Sequence, residues 1–197
     1  MPPSGGPAKA GTTNKRIALF KSSEIEINRV FATFAAVSCD EELGQLNVVK
    51  AIDHFRKCLE IEPDYYHFHT FRGRAFALKG DLDWALKWFE PGSELSGDLP
   101  HVRGIVARCY ALMGRRKQAE EILNRVLKLS KRRYVSSMTL ALIYIGLSRF
   151  DEAIRWIEKA YQVMAGPLVF LNVYPTYDPI RNHPRCQEMI RSRGLAR

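Results

Sequence analysis

The sequence predicts an all-helical protein in which about four helical hairpins stack into a solenoid closed by a C-terminal capping helix. The first observation behind this prediction is a repeat. Four alanines are spaced 34 residues apart, at Ala51, Ala85, Ala119 and Ala153. Each is followed four residues later by a large apolar side chain, at Phe55, Phe89, Leu123 and Ile157. Self-similarity at a fixed period of this size is typical of repeat architectures.

The second observation is a matching set of small and aromatic residues ahead of the last three alanines. Small residues stand twelve positions before them, at Gly73, Ala107 and Ala141. Aromatic residues stand nine positions before them, at Phe76, Tyr110 and Tyr144. Two helices pack closely where one offers a small side chain at the crossing point, and the aromatic residue fills the space beside it. Each hairpin leaves an apolar flank for the next hairpin to cover, so the units are expected to stack.

The third observation is helical periodicity interrupted by turn signals. Apolar residues follow the i, i+3, i+4, i+7, i+8 pattern of one helix face from Ala119 to Leu127. Turn-forming residues separate the helical segments at Lys79-Gly80-Asp81, Met113-Gly114-Arg115 and Glu62-Pro63-Asp64. No alternation of β type persists, which favours the all-α class.

These features resemble the tetratricopeptide repeat, a helix-turn-helix unit of about 34 residues. The resemblance covers about residues 32–165 and implies a superhelix of repeats at about 32–65, 66–99, 100–133 and 134–167. Two copies depart from the pattern. The leading helix of the first, Phe31 to Leu43, has Cys39 at the small site and Glu42 at the aromatic site. In the second copy, Pro91-Gly92 predicts that the helix ends or kinks near Glu90.

The two ends of the chain are expected to differ from the solenoid, which is assigned to residues 17–165. Residues 1–16 read as a disordered leader, because Pro, Gly, Ala and Ser dominate them. Residues 166–197 read as a capping segment with a last helix that begins at Pro184. Four apolar residues are expected to cover the end of the core: Leu168, Phe170, Leu171 and Val173.

A narrower resemblance concerns the tail. Stretches such as Asp178-Pro179-Ile180-Arg181-Asn182-His183-Pro184-Arg185 are similar to the C-terminal repeat region of bacterial winged-helix transcription regulators, adenylate cyclases and serine/threonine kinases. In such proteins this ending closes the solenoid. The resemblance therefore implies either a free-standing protein or a fragment of a larger regulator.

Composition narrows the class of partner. The chain of 197 residues has 30 lysines and arginines against 21 acidic residues, a net charge of +9. This excess favours acidic partners, whether peptides, nucleic acid or an anionic membrane. No stretch approaches the ~18 apolar residues that a membrane helix needs, so a cytoplasmic protein without membrane contact is expected. The four cysteines form no C-x-x-C pair and are predicted to be free thiols.

Ligands of such a superhelix are expected on the inner groove, which the resemblance assigns to the first helix of each repeat. By register, the groove residues are His67, Thr70, Arg74, His101, Gly104, Arg108, Val135, Met138 and Leu142. Arg74 and Arg108 lie one repeat apart and should be stacked neighbours. Two guanidinium groups on one wall could hold carboxylates or phosphates in bidentate fashion. The alternative is that both arginines pair with nearby acids or stay solvated.

Other candidate sites are weaker. His67 and His69 point to different helix faces, and His67 and His101 lack the third ligand that zinc requires, so no metal site is predicted. The sequence contains no catalytic motif and no cofactor-binding motif, and we expect no enzyme activity. Trp84 stands one position before Ala85, one of the four regularly spaced alanines. It is expected to be exposed and is a candidate surface contact.

The functional hypothesis is therefore a non-catalytic scaffold whose concave groove binds a protein or peptide segment, acidic or extended. The alternative hypothesis is a regulatory or sensory module of a bacterial signalling or transcription system, which could contact nucleic acid. Nucleic acid is the less favoured partner, because no aromatic residues interleave the basic clusters to stack bases. A homodimer is compatible with both hypotheses.

Overall fold

The computed structural model describes residues 41–163, 171 and 174–192, and side chains from Val48 onward. Within these ranges all regular structure is helical. The seven helices of the solenoid are α1 (Glu41–Ile61), α2 (Tyr66–Leu78), α3 (Leu82–Leu95), α4 (Pro100–Leu112), α5 (Arg116–Ser130), α6 (Ser137–Gly146) and α7 (Phe150–Gln162). A 3-10 turn (Pro175–Tyr177) and the helices α8 (Asp178–Arg181) and α9 (Pro184–Ser192) follow. None of the helices in this part of the chain is long and apolar enough to cross a membrane.

The helices pair as hairpins, α2 with α3, α4 with α5 and α6 with α7. Each pair is joined by a short turn that contains one residue with positive φ, at Gly80 (85°), Gly114 (75°) and Ser148 (58°). Glycine adopts this conformation without a Cβ penalty. The three turns lie 34 residues apart, so the turn geometry repeats with the same period as the core.

The residues of the sequence repeat form the core, as predicted. The alanines of the 34-residue lattice and the small residues of the first helices are buried, and Ala85, Ala107, Ala119, Ala141 and Ala153 are fully inaccessible to solvent. Gly73 lies so close to α3 that a Cβ atom there would be 2.5 Å from the Phe89 ring. This confirms a tetratricopeptide-type solenoid, in which small side chains set the distance between paired helices.

Packing between neighbouring hairpins is uneven. Helix α4 packs extensively on α6, whereas α2 and α4 make only marginal backbone contact. The buried apolar residues accordingly form two clusters. One lies between α1 and α2, around Phe55 and Phe68. The other runs from α3 to the C-terminal helix α9. We call the surface between α2 and α4, on the face that the first helices share, the α2–α4 cleft.

The first repeat differs from its prediction. Residues Glu41 to Leu43, which the sequence assigned to the leading helix, belong to the same continuous helix α1 as Ala51. Gly44 is the only helix-breaking residue between them. A single interior glycine costs only about 1 kcal/mol relative to alanine, too little to end a helix that packs on a neighbour. The predicted segment before Glu41 lies outside the described residues.

The sequence predicts that the second helix of repeat two ends or kinks near Glu90, and the first of these two outcomes is wrong. Helix α3 continues through Pro91 to Leu95. The residues that follow the proline are held by packing, because Gly92 and Ser93 are buried. A Cβ atom on Gly92 would lie 3.0 Å from the Thr70 methyl group. Close contact with α2 therefore outweighs the backbone hydrogen bond that the proline removes.

Pro91→Ala is expected to stabilise the protein, because alanine restores the amide that can donate to the carbonyl of Lys87 and removes the ring clash. Proline costs about 3 kcal/mol relative to alanine in a helix interior, so a gain of roughly 1–3 kcal/mol in the free energy of unfolding is expected. Urea denaturation followed by circular dichroism measures it. A loss of stability would mean that the proline ring contributes packing that outweighs its backbone cost.

The C-terminal segment packs against the last repeat. Helix α9 begins at Pro184, as predicted, and Leu171 is 1% exposed. The other three residues expected to cover the core, Leu168, Phe170 and Val173, lie outside the described residues, as does the predicted leader 1–16. Arg181 ties the segment together, since its guanidinium donates to the carbonyl of Tyr174 (2.7 Å) and pairs with Asp178 (2.6 Å).

Candidate partner-binding site

The α2–α4 cleft brings together four of the residues that the sequence placed in the groove. Helix α2 contributes His67 and Arg74, and helix α4 contributes His101 and Arg108. The Tyr66 ring spans the cleft, with its centroid 6.3 Å from that of His101. We call these four residues with Tyr177, described below, the cationic cluster.

The two arginines of the cluster have no acidic partner in the described part of the chain. Both side chains are half-buried, and the Nε atom of Arg108 is buried without a hydrogen-bond acceptor. Neither arginine takes part in any ion pair found among residues 48–163 and 174–192. By contrast, Arg103 pairs with Asp98 and Arg149 with Glu152. Buried charges are normally paired, so this arrangement favours an external anion.

Loss of water affects both guanidinium groups. Burial lowers the pKa of Arg74, and burial followed by the nearby charge of Arg74 lowers the pKa of Arg108. Arginine nevertheless stays protonated in proteins. The cleft therefore keeps two fixed positive charges that are poorly solvated, and such charges interact more strongly with an anion than charges in bulk water do.

The two histidines are neutral donors or acceptors at neutral pH. The Nδ1 atom of His67 is buried without a hydrogen-bond partner, and burial and the charge of Arg74 lower its pKa. The ring of His101 is exposed at the rim of the cleft, where partial desolvation, the charge of Arg74 and the neighbouring His67 lower its pKa. Protonating either ring would add a third charge beside the arginines.

Tyr177 reaches the cluster from the C-terminal segment. Its side chain is 8% exposed, and both Arg74 and Arg108 lie close enough to act electrostatically on its hydroxyl. Burial still raises the pKa of Tyr177 to about 12. The hydroxyl is therefore protonated and cannot neutralise the arginines, but it remains able to donate a hydrogen bond to an anion.

Gly146 positions Arg108. A Cβ atom on this last residue of α6 would lie 3.0 Å from both Cα and Cγ of Arg108. The absence of a side chain at Gly146 lets the stem of Arg108 lie directly against α6. Fixing the stem in this way reduces the rotamer entropy that an arginine loses when it binds a ligand.

The structure places the other predicted groove residues elsewhere. Thr70 is 4% exposed, donates to the carbonyl of His67 (2.9 Å) and contacts α3. Gly104 lies against Thr139 of α6, and Met138 and Val135 are buried, whereas Leu142 is half-buried. The α6 end of the first-helix face is therefore closed and apolar, because α4 and α6 pack closely. Among the predicted groove residues, the polar side chains that keep some exposure all lie at the α2–α4 end: His67, Arg74, His101 and Arg108.

Tyr66 and Tyr177 were not found by sequence reasoning. Tyr66 is the first residue of α2 and stands next to the predicted groove residue His67. Its place at the start of a first helix was the one feature of the sequence that could have indicated it. Tyr177 had no such signal. It follows the last repeat, shares no 34-residue register with the arginines, and reaches them only because the C-terminal segment packs against α6.

The model of the tetratricopeptide repeat family matches residues 101–133 and 136–163. These two stretches of the chain are therefore tetratricopeptide repeats. The matched stretches coincide with the hairpins α4–α5 and α6–α7, in the register that the alanine lattice predicts.

Two curated relatives agree with the repeat assignment. Superkiller protein 3 of Schizosaccharomyces pombe is 28% identical over 134 residues, which is 64% of this chain and 10% of that protein. A TPR repeat-containing protein of Methanocaldococcus jannaschii is 32% identical over 73 residues, 37% of this chain and 22% of that protein. The match thus spans a minor part of each relative. Tetratricopeptide repeats are characteristic of protein-interaction scaffolds.

Trp84 lies apart from the cleft, at the start of α3. It is 47% exposed, stacks on Phe76 with 5.8 Å between ring centroids, and carries the Lys87 ammonium 4.2 Å above its ring. As the sequence predicted, the ring is exposed. Both contacts are made within the chain, so they account for part of the packing of Trp84 without a partner. The role of Trp84 as a partner contact stays a prediction.

Other chemistry-bearing groups do not assemble into a site in the described part of the chain. Cys109 and Cys186 are buried free thiols, and Cys58 is buried as well. Burial raises the pKa values of Cys109 and Cys186 to about 11, so neither is a reactive thiolate at neutral pH. Among the described residues, no three His, Cys, Asp or Glu side chains converge as metal ligands would.

Proposed function

We propose that this protein is a non-catalytic interaction scaffold that binds an acidic, extended segment of a partner protein through the α2–α4 cleft. The observation that carries the proposal is the cationic cluster, which combines two half-buried arginines with two histidines and has no carboxylate partner among the described residues. A tetratricopeptide solenoid supplies a rigid support for such a surface.

The partner segment is expected to be acidic because the cleft has an uncompensated positive charge. Closing an uncharged segment over Arg74 and Arg108 would remove the remaining water from two cations without replacing it, which costs several kcal/mol per ion. A carboxylate would replace that water with charge-assisted hydrogen bonds. The whole chain, at +9, would also attract an acidic partner from a distance.

The segment is expected to be extended because the polar part of the surface is narrow. The cleft is bounded by α2 and α4, and the face beyond α4 is closed by its packing on α6. A single strand of chain fits between two helices more readily than a folded domain does. The apolar residues Tyr66 and Phe71, which lie beside His67, would contact side chains next to the acidic group.

The test is an affinity capture from nuclease-treated lysate with the full chain as bait. The double variant Arg74→Glu, Arg108→Glu should lose the specific partner by 100-fold or more, because each reversed charge removes a hydrogen-bonded ion pair worth roughly 1.5–3 kcal/mol and adds repulsion. Mass spectrometry identifies the proteins retained, and a synthetic peptide from the partner then gives the dissociation constant.

The matched control is Arg132→Glu combined with Arg116→Glu, which makes the same change in net charge at exposed positions on α5 and the turn after it. This control should keep the partner. Equal loss in both double variants would show that overall charge, not the cleft, governs binding. If proteins are captured from untreated lysate but not from nuclease-treated lysate, the cleft binds nucleic acid and the proposal is rejected.

A further inference from the structure

We propose that the cationic cluster is a phosphate site, and that the acidic group it selects is the phosphoryl group of a phosphorylated partner segment. This inference rests on the proposed function and names the chemistry of its ligand. It is carried by the placement of Arg74, Arg108, His67 and Tyr177 around one cleft with no internal anion in the described part of the chain.

Charge balance distinguishes a phosphoryl group from a single carboxylate. Arg74 and Arg108 provide two fixed positive charges, and a carboxylate offsets one of them. A phosphoryl group carries about −1.5 to −2 at pH 7 and presents three acceptor oxygens. Because the two guanidinium groups are poorly hydrated, an unbalanced charge left in the cleft is costly. A ligand of charge near −2 is therefore the better match.

Donor number also favours a phosphoryl group. Besides the buried Nε atom of Arg108, the guanidinium groups of Arg74 and Arg108 carry terminal N–H donors, and neither group forms an ion pair in the described part of the chain. The protonated hydroxyl of Tyr177, which lies near both arginines, adds a neutral donor from the C-terminal segment. Arginine binds phosphate through two parallel N–H donors, so the cluster offers more donors than the two oxygens of one carboxylate can accept.

A nucleic-acid backbone matches this site less well. Binding to DNA or RNA usually depends on several phosphate contacts spread along a strand. Here the two unpaired arginines are neighbours on α2 and α4 that act on each other electrostatically, and Met138 and Leu142 on the first-helix face beyond them are apolar. A single phosphoryl group on a peptide fits one point contact.

The first test uses inorganic phosphate as the probe and the full chain as the protein. At pH 7 and fixed ionic strength, phosphate should raise the melting temperature of the wild type and of the exposed control Arg132→Gln. Phosphate should have little effect on Arg74→Gln or Arg108→Gln. Isothermal titration should show about tenfold or greater weakening for each cleft variant, since each loses charge-assisted hydrogen bonds.

Folding is controlled separately. Circular dichroism without phosphate should show equal helicity in all variants, and Arg108→Lys should retain part of the phosphate affinity, because lysine keeps the charge but not the bidentate donors. Tyr177→Phe should weaken phosphate binding by less than either arginine variant does. If Arg108→Lys bound phosphate as well as the wild type, the bidentate contact would be excluded.

A dicarboxylate separates this inference from the proposed function. If glutarate stabilises the protein as much as phosphate does, and only when both arginines are present, the phosphate site is rejected while acidic-segment binding stands. A phosphate effect of equal size in all variants would also reject the site, as non-specific binding. Oligouridine is the probe for nucleic acid. If it binds more tightly than phosphate, and only when both arginines are present, the phosphoryl group that the cluster selects belongs to nucleic acid and the proposal of a phosphorylated peptide is rejected.

The second test returns to the captured partner. Phosphatase treatment of the lysate should abolish capture by the wild-type chain, and the phosphorylated form of the partner peptide should bind at least tenfold more tightly than the unmodified form. Capture that survives phosphatase but still requires Arg74 and Arg108 would overturn the phosphate site and leave the acidic-segment scaffold in place.

Discussion

Leu140→Ala is expected to lower the free energy of unfolding by about 2–5 kcal/mol, the range for removing a buried leucine. Leu140 lies in α6 with 0% of its side chain exposed. Helix α6 packs on both α4 and α7 and also contacts the 3-10 turn Pro175–Tyr177. Removing the Leu140 side chain therefore leaves a cavity in the core cluster that runs from α3 to α9.

Urea denaturation monitored by circular dichroism measures this effect, with Leu112→Ala as the matched control. Leu112 is 46% exposed at the end of α4, so the same truncation there should cost less than about 1 kcal/mol. Because repeat arrays depend on contacts between neighbours, hydrogen exchange in Leu140→Ala should rise most in α6 and α7. Equal costs at the two positions would contradict the assigned core.

Gly73→Leu is expected to destabilise the α2–α3 hairpin by about 3 kcal/mol, at the upper end of the range for overpacking a core. The added Cβ atom would lie 2.5 Å from the Phe89 ring and 3.0 Å from the carbonyl oxygen of Ala85. The ring could rotate, but the backbone oxygen belongs to α3 and moves only if the whole helix does. Helix α2 must therefore shift away from α3, which would also displace Arg74.

A double variant tests that explanation. Phe89→Ala alone should cost about 3–5 kcal/mol, because Phe89 is 2% exposed. When it is combined with Gly73→Leu, the added leucine side chain at position 73 can occupy the space that Phe89 leaves. The loss of unfolding free energy in the double variant should therefore be smaller than the sum of the two single losses by about 0.5–3 kcal/mol. Strict additivity, measured by thermal and urea unfolding, would show that steric contact between positions 73 and 89 is not the cause.

The two predictions show why local patterns were reliable in the solenoid. Gly73, Ala107 and Ala141 recur at one spacing and all are buried, and Gly73 lies where the two helices of its hairpin approach. Such contacts join residues only about a dozen positions apart along the chain, as from Gly73 to Ala85. A sequence period records them directly, since every hairpin repeats the same short-range geometry.

The helix end expected at Pro91 is absent for the opposite reason. Local sequence correctly assigns a cost to proline inside a helix. It does not contain the packing of Gly92 against Thr70 on the preceding helix, which holds the last turn of α3 in place. The assignment of Thr70 to the groove has the same limitation. Its position in the repeat does not show how closely α3 approaches it, and the structure buries it against α3.

The properties of the α2–α4 cleft also fall into two groups, those that follow from the sequence and those that depend on packing. The equivalence of Arg74 and Arg108 follows from their 34-residue separation, and the possibility of holding an anion follows from the chemistry of arginine. Their lack of an acidic partner among the described residues depends on where every carboxylate of that part of the chain lies. The wide spacing of α2 and α4, compared with α4 and α6, is likewise a property of packing.

The sequence by itself therefore determined the helical hairpins, their 34-residue register, the small residues at each crossing and the pair of arginines on adjacent first helices. Tertiary structure alone decided that α3 passes through Pro91, that Thr70 is buried, and that Tyr177 approaches both arginines from the C-terminal segment. The physical reason is range. Periodicity encodes contacts within one repeat and the next, whereas burial and charge compensation depend on all the residues that surround a group in space.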